Sequence, residues 1–175
     1  KSLEKIVSQT SRIADLIRSL LNLARIDNTV AMDVSLRRVV AKAVDTAVDL
    51  FPAVTFNVDF PRNFPRFTGF PRSLEHALLN IIVNGCQAMN GEGIINISGC
   101  QTRNNREDGI LLAIEDQGCG IKPENLVKIF HPFFSTKGSG KGSGLGLALV
   151  DRVVKEHKGR ISVESILEQG SKFFI

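Results

Sequence analysis

Two asparagines and a glutamine in this chain have the spacing that would place their side chains together on one face of a helix. Asn80, Asn84 and Gln87 follow one another at steps of four and three residues. On a helix such positions share one face, so the amide oxygens of Asn80 and Asn84 are placed to meet a hard cation and its waters. Alternatively, the pair satisfies buried carbonyl groups, since asparagine inside a helix lowers helix propensity.

A second candidate is Asp116, which ends the apolar run 110–116 and is followed at once by Gly118 and Gly120. This pattern predicts a carboxylate at the end of a strand, where glycines let the backbone pass close to a flat ligand. An exocyclic adenine amine is a suitable hydrogen-bond donor for such a carboxylate. The alternative is an ordinary Asp-x-Gly turn.

Glycine occupies every second position in a third segment, at Gly138, Gly140, Gly142, Gly144 and Gly146. The P-loop pattern fails because Lys141 is followed by glycine, and the G-x-G-x-x-G spacing of dinucleotide sites is absent. The remaining interpretation is a mobile lid over residues 131–143. It leads into a helix from about Leu145, whose N-terminal amides can hold phosphate oxygens. The alternative is a flexible surface loop.

Hydrophobic periodicity and turn residues predict the elements that must position these residues. The predicted helices are 35–50 with Ser35 as its cap, 71–89 and 145–157, with a short helical stretch inside 122–143. The predicted strands are 54–58, 94–102, 110–116, 161–165 and 171–175. This alternation predicts an α+β fold, a two-layer sandwich in which helices cover a mixed or antiparallel sheet.

The N-terminal segment differs from the rest of the chain. Apolar residues recur there at alternating steps of three and four, in a stripe wide enough for a helix bundle. The sequence therefore predicts two units, a bundle helix over 1–28 and a domain over 29–175. The alternative is that the helix packs on the domain behind it.

The amino-acid composition argues against some classes of binding partner. Hydrophobic residues make up 43% of 175 residues, enough for one core, and the 11 aromatic residues are all phenylalanine. The 22 basic and 18 acidic residues are spread along the chain, so no nucleic-acid partner is expected. No apolar run approaches about 18 residues. We therefore expect no membrane contact by this segment and a cytoplasmic location, as a free protein or as the cytosolic part of a membrane-bound sensor.

The three cysteines have an odd count and lack C-x-x-C spacing. This argues against a zinc site and against a disulfide framework. We expect Cys86, Cys100 and Cys119 to be small, reduced, buried thiols.

Taken together, these motifs resemble the ATP-binding domain of the GHKL superfamily, and most closely that of sensor histidine kinases. Residues 80–84 resemble the N-box, 116–120 the first glycine motif, 130–133 the F-box and 142–146 the second glycine motif. Residues 133–137 resemble the lid of nitrogen-regulation sensor kinases, and 170–173 the last glycine motif. Residues 1–27 resemble the second helix of the dimerisation domain.

The resemblance implies a role for each matching residue. Asn84 would bind Mg²⁺ between the phosphates, Asn80 would support the metal or phosphates, and Asp116 would hydrogen-bond the adenine amine. Phe130 would anchor the lid, and Ser171 stands where relatives usually have threonine near the base. The backbone would approach the base at Gly118 and Gly120, and the phosphates at Gly142, Gly144, Leu145 and Gly146.

Three departures from the family pattern matter. None of the three histidines stands in the phosphoacceptor pattern, so the acceptor histidine is missing from this chain. Gln87 replaces a basic residue found in many relatives, which makes Lys137 the candidate for positive charge at the γ-phosphate, folding in only when that phosphate is present. Phe70 replaces an acidic residue before the N-box helix.

The implied function is phosphoryl transfer. The domain would bind ATP with Mg²⁺ and offer the γ-phosphate to a histidine on the dimerisation domain of a homodimer. The phosphate would then pass to an aspartate of a response-regulator receiver domain. Two alternatives remain: a GHKL-type ATPase, which would carry glutamate in place of Asn80 as a base, and a nucleotide-binding pseudokinase module.

Overall fold

The computed structural model describes residues 30–104, 107–137 and 142–175, and the predicted helix over 1–28 lies outside them. Three α-helices and a single 3₁₀ turn at Pro123–Asn125 occur in the described residues. The helices are α1 (Leu36–Leu50), α2 (Pro71–Ala88) and α3 (Gly146–Glu156). The strands are β1 (Met32–Ser35), β2 (Val54–Asp59), β3 (Arg66–Gly69), β4 (Gly93–Asn104), β5 (Glu107–Asp116), β6 (Ser162–Ile166) and β7 (Gly170–Phe174).

The main sheet has five strands in the order β2-β4-β5-β7-β6. β2 runs parallel to β4, and the other neighbours are antiparallel, so the sheet is mixed. The apolar residues of the three helices join a single buried cluster with side chains from β4, β5 and β7. The predicted α+β sandwich is therefore confirmed.

The central helix of the helical layer is α2, which packs against both α1 and α3. It presents a buried apolar stripe to the core, including Leu74, Leu78, Ile81 and Ile82. Its C-terminal half reaches the end of β5, because the backbone at Gly85 lies close to the Asp116 side chain. Of the predicted site residues, Asn80 and Asn84 lie in this half of α2, and the residues in contact with it are Asp116, Gly118, Lys137 and Gly146.

The structure differs from the predicted elements in three places. A small antiparallel sheet of β1 and β3 flanks the domain, and the sequence did not predict it. Ser35 does precede α1, but its side chain makes no capping hydrogen bond. The β4–β5 strands also extend to Asn104 and Glu107, further than predicted.

The cysteine expectation holds for only one residue. All three are free thiols, and Cys86 is buried, where desolvation raises its pKa to about 11. Cys100 and Cys119 are exposed, so the prediction of buried thiols is wrong for both. Each helix in the described part of the chain is too short or too polar to cross a bilayer.

Candidate functional site

Asp116 is a buried carboxylate at the end of the central strand of the main sheet. It ends β5 between Ile95 of β4 and Ser171 of β7, and only 6% of its surface is exposed. Its Oδ1 accepts a hydrogen bond of 2.8 Å from the Gly118 N–H, and the Ser171 N–H also donates to the carboxylate. Desolvation raises the pKa of Asp116, and these two amides oppose the rise.

The sequence predicted that Asp116 accepts a hydrogen bond from a ligand amine, but two backbone amides of the protein already donate to it. The bond to Gly118 is the local Asp-x-Gly turn, so this alternative is also correct at the level of geometry. A carboxylate has about four acceptor positions, however, and two amides leave capacity for a ligand amine. Asp116 therefore does not need a ligand for its own stability, yet it is equipped to accept from one.

Gly118 and Gly120 hold the loop after Asp116 against two neighbours. A Cβ at Gly118 would lie 2.6 Å from the Ala88 Cβ, at the end of α2. Gly120 has φ +69°, and a Cβ there would collide with the Ile166 carbonyl oxygen. Glycine is needed at both positions for close approach, so the loop is fixed between the helical layer and the β6–β7 turn.

A hydroxyl network secures the same loop from the sheet. Ser165 Oγ accepts from the Ile121 N–H at 2.8 Å and donates to the Gly170 carbonyl at 2.8 Å. It also lies 3.0 Å from the Ser171 Oγ. Ser171, predicted near the base, is buried beside Asp116. Its hydroxyl therefore supports the wall of the site.

Asn80 links α2 to the start of α3. Its Nδ2 donates to the His76 carbonyl at 2.9 Å, one helical turn back. Its Oδ1 faces Gly146, where a Cβ would lie at 2.9 Å. The predicted phosphate-binding end of α3 is thus in direct contact with the predicted N-box residue.

Asn84 faces a positive charge. Lys137 Nζ donates to the Asn84 Oδ1 at 3.0 Å and to the Gln87 Oε1. Desolvation lowers the pKa of Lys137, and the nearby Cys119 opposes this fall. Lys137 was expected to fold in only toward a γ-phosphate. The two amide oxygens of α2 accept hydrogen bonds from its ammonium group in this arrangement, and its response to a γ-phosphate stays a prediction.

The same contact tests whether Mg²⁺ fits. The ammonium group is a stand-in cation on the Asn84 oxygen, and amide oxygens are hard donors of the kind Mg²⁺ accepts alongside nucleotide phosphates. Among residues 30–104, 107–137 and 142–175 there is no group of three or more His, Cys, Asp or Glu side chains placed to hold a metal. The Asn84 oxygen is thus chemically suited to a cation held mainly by phosphate oxygens, and its role in binding Mg²⁺ stays a prediction.

A backbone hydrogen bond joins the two ends of the predicted lid. The Phe133 N–H donates to the Gly144 carbonyl at 2.9 Å, and both residues have φ of 67°. A Cβ at Gly144 would collide with the Phe133 backbone. Phe130 is half-buried against the core, and its role as a lid anchor stays a prediction. We call the Phe133–Gly144 contact the lid clasp.

Beyond the lid clasp, Gly142 lies beside Ser135 and Lys137. Leu145 is buried, and its N–H donates to the Ser143 Oγ at 3.3 Å. Gly138, Gly140 and Lys141 of the predicted lid lie outside the described residues.

Three residues that support the site were not predicted from the sequence. Gly85 leaves room for Asp116, since a Cβ there would lie 3.1 Å from the Asp116 Cβ. A glycine in the middle of a helix costs about 1 kcal/mol, which was the available signal. Ser165 and His157, whose ring contacts the start of α2, gave no such local signal.

Comparison with known proteins finds relatives that match most of this chain. Residues 69–175 match the family model described as histidine kinase-, DNA gyrase B- and HSP90-like ATPases. Sporulation kinase C of Bacillus subtilis (strain 168) is 33% identical over 173 residues, which cover 96% of this chain and 39% of that protein. Signal transduction histidine-protein kinase AtoS of Escherichia coli (strain K12) is 33% identical, covering 98% of this chain and 28% of that protein.

Solved structures show the same fold. A mycobacterial sensor histidine kinase, MprB, superposes with a TM-score of 0.71 at 27% identity, covering 83% of this chain and 95% of that one. Full-length ShkA in complex with AMPPNP superposes with a TM-score of 0.76 at 20% identity, over 93% of this chain and 35% of that one. The chain spans less than half the length of the two curated relatives named above.

Proposed function

Because the chain belongs to the family of histidine kinase-, DNA gyrase B- and HSP90-like ATPases and carries the ATP-binding domain of a sensor histidine kinase, we propose that it acts as the phosphate donor in two-component signalling. In this role it binds ATP with Mg²⁺ and gives the γ-phosphate to a histidine of its dimerisation domain. A response-regulator aspartate then receives the phosphate.

One observation supports this proposal most strongly. Adjacent residues of α2 lie beside two groups of opposite charge: Gly85 makes room for the Asp116 carboxylate, and Asn84 accepts a hydrogen bond from the Lys137 ammonium group. A ligand with an amine at one end and phosphates at the other fits this division. ATP is such a ligand, and its adenine amine would meet Asp116.

Each of these residues has a separate role in the proposed phosphoryl transfer. Asp116 orients the base, and the amides at the start of α3 receive phosphate oxygens. Asn84 would hold Mg²⁺, which, when bound, neutralises charge on the phosphates. Lys137 would leave the Asn84 and Gln87 oxygens for the γ-phosphate, where its charge stabilises the transferring group.

In the transfer, an imidazole nitrogen of the acceptor histidine forms a bond to the γ-phosphorus. The bond from that phosphorus to the β–γ bridging oxygen breaks, and ADP leaves with the electron pair. The imidazole proton passes to a base beside the acceptor, outside the nucleotide site. This chain therefore supplies positioning and charge, which dominate phosphoryl transfer.

The hydrolase alternative lacks its base. Such an enzyme needs a carboxylate where Asn80 stands, to take a proton from water. The Asn80 amide instead donates to the His76 carbonyl and abuts Gly146. A structural role at the α2–α3 contact suits Asn80 better than proton transfer.

Calorimetric titration with ATP, ADP and GTP, each with and without Mg²⁺, tests nucleotide binding. We expect Mg²⁺ to strengthen ATP binding. GTP should bind at least about tenfold more weakly, because guanine places a carbonyl oxygen where adenine has its amine and leaves Asp116 without a donor. Equal affinity for ATP and GTP would contradict the adenine assignment.

Transfer itself is tested by adding the two-helix dimerisation domain of the parent protein. With γ-labelled ATP, the label should appear on that domain as acid-labile, base-stable phosphate, as expected for phosphohistidine. Asp116→Ala serves as the negative control. If binding is intact and no label reaches the added domain, the chain binds nucleotide without acting as a donor.

A further inference from the structure

The C-terminal end of α3 is joined to the start of α2 by a histidine outside the nucleotide site. His157 Nε2 accepts a hydrogen bond of 2.9 Å from the Phe70 N–H, and its Nδ1 lies 2.7 Å from the Val153 carbonyl oxygen. A carbonyl oxygen only accepts, so Nδ1 carries the proton and Nε2 is the acceptor. Both nitrogens of a neutral ring are thus used.

The surroundings of the ring fix its orientation. Phe70 and Phe67 make edge contacts with it, at centroid distances of 5.4 and 6.2 Å. A Cβ at Gly69 would lie 2.7 Å from the His157 Cδ2. The imidazole is therefore fitted between the end of α3 and the residues that precede α2.

The hydrogen bond replaces a helix cap. Phe70 stands at the N-cap of α2 and makes no side-chain capping bond. In a capping box, the third residue of the same helix accepts the N-cap N–H. Here the side chain of His157, the C-cap residue of α3, accepts it, so the start of α2 depends on where α3 lies.

Two contacts consequently set the position of α3 along α2. The helices run antiparallel, since Gly146 at the start of α3 meets Asn80, while His157 at its end meets Phe70. Phe70 and Asn80 are ten residues apart, about 15 Å along a helix. A helix held at two points this far apart cannot slide or tilt without losing one of them.

We propose that His157 is a positioning residue for phosphate binding, because it fixes the register of α3 against α2. This inference rests on the proposed nucleotide function. Register controls where the N-terminal amides of α3 lie relative to Asn80 and Asn84. It does not control the Asp116 pocket, which is built by the C-terminal half of α2, β5 and β7.

Three variants separate this role from simple stability. His157→Phe keeps a ring for the aromatic contacts and loses the acceptor. His157→Gln places an amide oxygen near the position of Nε2 and restores an acceptor for the Phe70 N–H. Lys155→Ala, in the same helical turn, removes an exposed ion pair with Asp151 and is the matched control.

Affinities for ATP and for adenosine are then measured at a temperature where circular dichroism shows each variant folded. We expect His157→Phe to bind ATP roughly threefold to tenfold more weakly, with adenosine affinity unchanged. His157→Gln should recover most of the loss, and Lys155→Ala should match the wild type. Parallel loss of ATP and adenosine, unchanged ATP affinity, or failure of glutamine to restore it would each overturn the proposal.

A nucleotide-free measurement keeps this inference distinct from the proposed function. The NMR signals of the Asn80 side-chain amide and the Gly146 backbone amide should shift in His157→Phe and return toward wild type in His157→Gln. If the wild type fails to bind ATP, the proposed function is wrong and these signals still decide the register. Unshifted Asn80 and Gly146 signals in His157→Phe would refute the role of His157.

Discussion

Replacing Asp116 measures how much of nucleotide affinity comes from one carboxylate. In Asp116→Ala, the adenine amine loses a charge-assisted hydrogen bond worth about 1.5–3 kcal/mol. ADP affinity should therefore fall roughly tenfold to a hundredfold. The Gly118 and Ser171 amides also lose their acceptor, so the alanine variant should unfold at a lower temperature as well.

Asp116→Asn separates charge from shape. Its side-chain oxygen can still accept from the Gly118 N–H, but a neutral hydrogen bond to adenine is worth about 0.5–1.5 kcal/mol. The difference from the charged bond is about 1–1.5 kcal/mol, which predicts a roughly fivefold to tenfold loss of ADP affinity. The order of affinity should be wild type, asparagine, alanine.

Isothermal titration calorimetry with ADP tests this order, and Glu115→Gln is the control. Glu115 is the preceding residue of β5 and forms an ion pair with Lys172, partly exposed to solvent. Its variant should bind ADP as the wild type does. An alanine variant that remains folded and binds ADP with wild-type affinity would show that Asp116 does not contact the base.

Three further predictions concern the metal, the thiols and the acceptor. Asn84→Ala should abolish the strengthening of ATP binding by Mg²⁺ and leave adenosine affinity intact; a surviving Mg²⁺ effect in calorimetry would assign the metal to another residue. ADP should slow alkylation of Cys119, which is exposed in the glycine loop. Cys86 should stay unlabelled at pH 8 in the native protein, because it is buried and its pKa is raised to about 11. Only about one such thiol in a thousand is ionised at that pH. Alkylation is followed by mass spectrometry, and an unchanged rate of Cys119 alkylation in the presence of ADP would contradict this prediction. The chain alone should bind ATP without phosphorylating any of its own histidines, which are His76, His131 and His157. Acid-labile, base-stable phosphate on this chain would refute its role as a donor only.

The elements that the sequence predicted well are those with a strong local signal. The long helix α2 has a continuous apolar stripe and a proline at its first position, so its predicted start is correct and its end is off by one residue. Asp116 was placed correctly because an apolar strand precedes it and glycines follow it. Strands β1 and β3, each four residues long, are too short for a periodic pattern to reveal.

The contacts that the sequence did not predict join distant residues. Lys137 meets Asn84 across 53 positions of the chain, and Phe70 meets His157 across 87. Neither pairing follows from helix or strand period, since each depends on how α3 and the lid pack on α2. The residue types at the site were therefore predictable, whereas the partners that hold them were not.

The lid clasp has a consequence for how this domain tolerates change. Because the Phe133 amide and the Gly144 carbonyl are already bonded, the chain between them begins and ends at one place on the fold. The entropy of closing such a loop grows only with the logarithm of its length, about 0.6 kcal/mol for each doubling. The stability of the fold should therefore depend only weakly on the length of the lid. A foreign peptide could be grafted between these two anchors while the helices and sheet behind them stay intact.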